Sequence, residues 1–160
     1  MALKGDRMLG NGNTDISFFM NEAATRGGVV CMKTGGSGSA LDQAQALATY
    51  AANPSGSRPL GLLLEDMVNY DLTRQHANFY RDEVQQGGKV ALLRKGFVVT
   101  NNIQGPNPNP GDAAVLLNSG NVGAVSLANL PGNNALTTPV VGYWGSAKDD
   151  DGYAKLFVDL

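Results

Sequence analysis

Cysteine, histidine and tryptophan each occur once in these 160 residues. The single cysteine, Cys31, rules out an internal disulfide. It lies in the apolar run Val29-Val30-Cys31-Met32, which points to an inert core thiol. No apolar run approaches the roughly 18 residues that a membrane-spanning helix needs. Charged residues make up 16% of the chain, well short of the usual quarter or so, and a helical bundle would want more Glu, Lys and Arg. The net charge is −2, with no concentration of Lys and Arg, so direct nucleic-acid binding is not expected. The opening Met1-Ala2-Leu3-Lys4-Gly5-Asp6-Arg7 lacks the apolar core of a secretory signal. The expectation is a protein made in, and kept in, a cytosol-like compartment unless a particle carries it out.

What the chain does have is glycine, 21 residues of it, with Asn and Pro gathered between short apolar runs. That pattern suits short strands joined by tight turns. The length fits one domain, large enough to bury a core without metal or disulfide. Residues 1–14 are polar and glycine-rich and cannot fold alone, which predicts an extended N-terminal arm ahead of a single β-rich domain over 15–160.

Within that domain, Gly27-Gly28 predicts a turn and Val29–Met32 a strand. Gly35–Ser39 is a flexible loop. Residues 40–51 fit a helix through Leu41, Ala44, Leu47 and Ala51, or, over 45–51, a strand hairpinned to Pro59–Leu64 across a type I turn at Asn53-Pro54-Ser55-Gly56; the turn favours the strand. Residues 74–84 suit helix and strand equally. Gly87-Gly88 predicts a hairpin into Lys89–Leu93, and Phe97–Thr100 continues the sheet after a kink at Gly96. Gly105–Gly111, with three prolines, is a stiff exposed connector. Ala113–Leu117 and Val122–Val125 form a hairpin around Asn118-Ser119-Gly120. Pro139–Tyr143 is a strand, and Asp149–Gly152 turns the chain into the last one. There Ala154, Leu156, Val158 and Leu160 point inward, while Tyr153, Lys155, Phe157 and Asp159 point outward. Truncation of a chain ending on an inward leucine should be poorly tolerated. Eight to ten short strands with evenly spaced turns predict a mainly β fold, a small sandwich or barrel-like domain.

Candidate chemistry is sparse. His76 lacks a Gly-x-Ser-x-Gly elbow to work with and reads as a surface or interface histidine. Gly35–Ala40 lacks the Gly-Lys-Ser/Thr ending of a phosphate loop. Asp149-Asp150-Asp151 lacks the alternating ligands and distant Glu of a calcium loop and reads as a solvated turn. Glu65-Asp66 and Asp82-Glu83 are paired carboxylates of the kind glycosidases use, but with 7% aromatics the chain has little from which to build a sugar platform. Trp144, beside Tyr143, is a core or interface anchor. No cofactor or metal is implied, and no enzymatic activity is expected.

A run of segments along nearly the whole chain resembles the capsid cement, or head decoration, proteins of tailed phages. They begin with Met1-Ala2-Leu3-Lys4-Gly5-Asp6-Arg7 and Asp15-Ile16-Ser17-Phe18-Phe19-Met20-Asn21-Glu22. Thr49-Tyr50-Ala51-Ala52-Asn53-Pro54-Ser55-Gly56, Pro59-Leu60-Gly61-Leu62-Leu63 and Leu72-Thr73-Arg74-Gln75-His76 follow. Gly87-Gly88-Lys89-Val90, Arg94-Lys95-Gly96, Pro110-Gly111-Asp112 and Val141-Gly142 come next, and Ser146-Ala147-Lys148-Asp149 runs on to Asp151-Gly152-Tyr153-Ala154-Lys155. Their order along the chain carries the likeness.

The resemblance implies a small β-fold on the outer surface of the virion head, usually oligomeric and without catalytic residues. Its partners would be the major capsid protein and further copies of itself, as a dimer or trimer, with neither nucleic acid nor membrane. Candidate contact residues are Lys4 and Arg7 on the arm, Phe18, Phe19 and Met20 as an apolar anchor, and Arg74, His76 and Trp144. Removing residues 1–14 is expected to leave a folded domain that no longer decorates heads; full occupancy of undecorated capsids by the truncated protein, measured by sedimentation, would rule the arm out.

Overall fold

The last strand sets the pattern for the molecule. Ala154, Leu156 and Val158 are buried while Lys155 and Phe157 between them are only partly covered. One face of the strand therefore looks into a core and the other does not. The computed structural model describes residues 14–33, 47–69, 83–126 and 139–160, and thirteen short strands run through those described residues. They are β1 (Thr14–Asp15), β2 (Phe19–Met20), β3 (Val29–Lys33), β4 (Leu47–Thr49), β5 (Pro59–Leu63), β6 (Asp66–Val68), β7 (Glu83–Gln85) and β8 (Leu92–Leu93) from the first half. The second half supplies β9 (Lys95–Thr100), β10 (Ala113–Leu116), β11 (Val122–Val125), β12 (Val140–Trp144) and β13 (Ala154–Asp159).

The chain is mainly β, with curled sheets that form a half-barrel. One sheet has the order β1-β8-β5-β3-β4-β2 and the other β11-β10-β12-β13-β9, while β6 and β7 make a separate parallel ribbon. Between the two large sheets lies a core in which Val29, Cys31 and Leu62 meet Leu116, Trp144 and Leu156. Burial pushes the Cys31 thiol up to about 11, as suits the inert core residue expected from its apolar neighbours. The six-stranded sheet is apolar on its second face too. Val30, Leu63 and Leu92, each next in sequence to a residue of the first core, join Met20, Met67 and Val90 in a second cluster. A strand buried on both sides reads as a continuous apolar run, which is the pattern of Val29–Cys31 and Leu60–Leu63.

Several sequence expectations match these elements. The β10–β11 hairpin closes around Asn118–Gly120, with Ala113–Leu116 antiparallel to Val122–Val125. Leu47–Thr49 is a strand, while residues 34–46 lie outside the described residues, as do 70–82 and 127–138. Thr14, assigned from sequence to the arm, already pairs with Leu93 in the sheet; residues 1–13 lie outside the described part. The half-buried Leu160 packs against the first core, and its N–H donates to the Arg94 carbonyl at 2.9 Å.

Other expectations are corrected. β4 does not hairpin with β5, because β3 inserts between them and pairs with both. The turn before β5 closes one residue later than expected, with Ser57 N–H donating to Pro54 O at 2.9 Å. That register places Gly56 at φ +75°, where a glycine is favoured. Gly87-Gly88 does turn the chain, with Gly88 N–H donating to Gln85 O, but β7 pairs with β6 and β8 with β5 and β1, so no hairpin forms. Nor does Phe97–Thr100 continue the sheet of β8. The chain crosses to the second sheet at Arg94, and Gly96 pairs in regular register with Val158.

Register irregularities lie elsewhere, between Val30 and Cys31 opposite β5 and between Ala114 and Val115 opposite β12. There Gly142 has φ +154°, and a Cβ on it would overlap the Phe157 carbonyl oxygen. Gly142→Ala is expected to cost about 2–4 kcal/mol, because the neighbouring strand backbone must move to admit a methyl. Urea denaturation measures it, and an unchanged midpoint would show that β12 and β13 are not so closely paired.

Candidate functional site

Sequence reasoning proposed eight contact residues, and the fold does not gather them into one site. Lys4, Arg7, Arg74 and His76 lie outside the described residues. Phe18 is partly buried against the second core. Phe19 is partly buried on β2, with the Lys89 ammonium 5.7 Å from its ring centroid. Met20 and Trp144 must be withdrawn as contacts, since both have 0% exposure within the subunit. Met20 fills the second core. Trp144 sits at the centre of the first, where its indole N–H donates to the Gly123 carbonyl at 3.1 Å. Both halves of its amphipathic ring are thereby satisfied internally.

The surface that does face outward was missed. On the solvent side of the five-stranded sheet, Phe97, Phe157 and Tyr143 stand opposite one another across β9, β13 and β12. Phe97 and Phe157 have ring centroids 4.6 Å apart, and Tyr143 and Phe157 4.8 Å. Phe97 and Tyr143 meet edge to face at 6.4 Å. The Lys155 ammonium lies 4.9 Å from the centre of Phe97. A Lys95–Asp159 ion pair of 3.1 Å stands beside the aromatics. Tyr143 and Val140 remain 43% and 46% exposed. Cross-strand aromatic pairs contribute about 0.5–1.5 kcal/mol each, and the half-exposed ion pair about 1 kcal/mol at most. These contacts hold the side chains in a fixed array. The outward placement of Phe157 was legible from alternation in β13, but the register that sets Phe97 and Tyr143 beside it was not.

A groove of about 680 Å³ opens between the β6–β7 ribbon, residues 23–25 and the Asn118–Asn121 turn. Asp66 and Glu83 line it from directly paired positions on the parallel strands. One residue from each carboxylate pair noted in the sequence is thus brought together. Asp66 Oδ1 accepts the Arg26 backbone N–H at 2.7 Å. Glu83 Oε2 is buried and has no hydrogen-bond partner. Tyr50 forms part of the opposite wall with Asn102, Ser119 and Asn121. Among the described residues, no group of three or more His, Cys, Asp or Glu is placed to hold a metal ion.

Tyr50 also couples the two sheets. Its hydroxyl donates to Thr25 O at 2.6 Å and accepts Gly28 N–H at 3.1 Å. Its ring lies against Gly120, at the tip of the β10–β11 hairpin, where a Cβ would collide with it. Burial, foremost, raises the phenol above its usual range, so it stays protonated near neutrality. Nearby, the buried Thr100 hydroxyl donates to Gly27 O at 2.9 Å and accepts Asn102 N–H. The strand end of one sheet is thereby tied to the turn that opens β3 in the other.

Compared with known proteins, the chain matches no protein-family model and no curated sequence. No helix among the described residues is long and apolar enough to cross a membrane.

Tyr50→Phe removes one hydroxyl that serves two backbone groups. It is expected to lower stability by about 1–3 kcal/mol with the fold retained. A denaturation midpoint equal to wild type would show that water replaces the hydroxyl at no cost.

Proposed function

We propose that this protein is a structural component of a tailed-phage virion, a cement subunit that binds the outer surface of the assembled head and bridges neighbouring capsomers. The observation that carries this reading is the fixed aromatic array of exposed Tyr143 with half-buried Phe97 and Phe157, on a sheet whose other face is sealed into the core. Aromatic side chains already held in place lose little rotamer freedom on binding, so more of their buried area converts into affinity. Lysines and an ion pair around an apolar centre match the layout of a protein-binding patch. The resemblance of segments along the chain to head decoration proteins supports the same reading.

A cement subunit acts by mass action. DNA pressure pulls capsomers apart, and a protein that binds only the closed, expanded lattice shifts the equilibrium toward it. Many copies, each with a modest interface, make the effect cumulative. The partners in this reading are the major capsid protein and further copies of this chain. Residues 1–14 would add a second grip through Lys4 and Arg7. No cofactor or catalytic step is involved.

A tail-tube, baseplate or fibre module is the alternative, because a rigid β domain with one adhesive face would serve there too.

Tyr143→Glu combined with Val140→Glu places two carboxylates at exposed positions of β12 on the proposed contact face. Binding to undecorated heads is expected to weaken at least about tenfold, with circular dichroism unchanged. Undiminished occupancy by the double variant would exclude this face as the contact.

A further inference from the structure

The charges on the aromatic face are not evenly matched. Along β13 the outward residues are Lys155, Phe157 and Asp159, and their partners on β9 are Val99, Phe97 and Lys95. At one end Lys95 and Asp159 neutralise each other at 3.1 Å. At the other end Lys155 stands opposite an uncharged valine. Its ammonium lies 4.9 Å from the Phe97 ring centroid, and among the described residues no carboxylate pairs with it. The stem is held as well, since it runs past Gly145, where an added methyl would touch Lys155 Cγ and Cδ. Lys155 is thus a partly buried cation in a set position, with an aromatic ring for a neighbour and no counter-ion. We infer that Lys155 determines the specificity of this face. The surface it meets presents a carboxylate beside an apolar side chain, an Asp or Glu in an apolar-flanked segment of the shell protein. This inference rests on the head-binding reading and names the chemistry of the partner.

The argument is one of desolvation. Docking any surface on the aromatic array strips water from the Lys155 ammonium. The face of Phe97 attracts that cation but does not neutralise it, and it leaves ammonium N–H donors unused. An apolar partner surface would leave the charge buried and unpaired, which is costly. A carboxylate at the same place forms a charge-assisted hydrogen bond, about twice as strong as a neutral one. Because Phe97 and Gly145 already hold the side chain, little rotamer freedom is lost when the bond forms. The neutral pair at the Asp159 end and the unpaired cation at the Lys155 end also give the face a direction. A partner with its acidic group at the wrong end would not match it. Other ligand classes fit less well. The ring planes are tilted by 53° and 34° to one another, so they make no flat platform for a sugar. Nucleic acid calls for several unpaired cations, and Lys95 is already neutralised.

The test measures binding of the full-length chain to undecorated heads by sedimentation, at about 50 and about 500 mM salt. Lys155→Met keeps the apolar stem and removes the charge. It is expected to weaken binding about tenfold or more at low salt, and to make binding less sensitive to salt than in the wild type. Lys155→Glu is expected to bind more weakly still, and Lys155→Arg to restore most of the affinity. Lys33→Met removes an exposed lysine from the other sheet and is expected to bind as the wild type does. Wild-type affinity and salt response in Lys155→Met would overturn the inference while leaving the head-binding reading in place. So would an arginine variant as weak as the methionine one, which would make the role of Lys155 structural, or an equal loss in Lys33→Met, which would make the effect one of net charge. A wild-type protein that leaves the heads bare would contradict the head-binding reading itself, and this inference with it.

Discussion

The structure depends on one buried interface, the apolar layer between the six-stranded and five-stranded sheets. Trp144 is at its centre, fully enclosed, with its only polar atom bonded to the Gly123 carbonyl. Around it, core-facing residues of β9, β10, β12 and β13 meet core-facing residues of β3 and β5. Burial of apolar surface at about 25 cal/mol per Å² provides the driving force. The polar ties at the rim, from Thr100 to Gly27 and from the Ser119 N–H to the Ala51 carbonyl, fix how the sheets meet. They add orientation where the apolar contacts are non-directional.

From that interface follows the division of labour between the two outer faces. The six-stranded sheet spends its far side on a second core, closed by Met67 and Val84 of the β6–β7 ribbon together with Met20 and Val90. The five-stranded sheet leaves its far side open, and there the aromatic array stands. A sheet anchored on one side by a dense core is a stiff platform, so side chains on its other side keep their spacing. That stiffness suits a protein whose proposed task is to hold two neighbours at a set distance. The groove beside the ribbon arises from the same plan, since β6 and β7 pair with each other and not with either large sheet.

Much of the fold was legible in local pattern. Alternation in Ala154–Leu160 gave the inner and outer faces of β13, and Asn118-Ser119-Gly120 between two apolar runs gave the β10–β11 hairpin. The unbroken apolar runs at Val29–Cys31 and Leu60–Leu63 marked buried strands. Pairing was not legible, because turn residues show where a chain reverses and not which strand it returns to. The insertion of β3 between β4 and β5 and the crossing of sheets at Arg94 are long-range choices. The candidate site failed for the same reason. Trp144 resembled a contact residue in a short Tyr-Trp pair, yet the two side chains leave opposite faces of β12, one into the core and one to solvent. Asp66 and Glu83 are far apart in sequence and become neighbours only through the parallel ribbon.

The central proposal is that this domain coats a head in many copies and grips it through a rigid adhesive face. The most direct measurement is its stoichiometry in purified mature virions, by quantitative gel or mass spectrometry against the major capsid protein. A cement role predicts on the order of hundreds of copies per particle, in fixed ratio to the shell protein. A few tens or fewer would place the protein in the tail, and none at all would contradict a virion role outright.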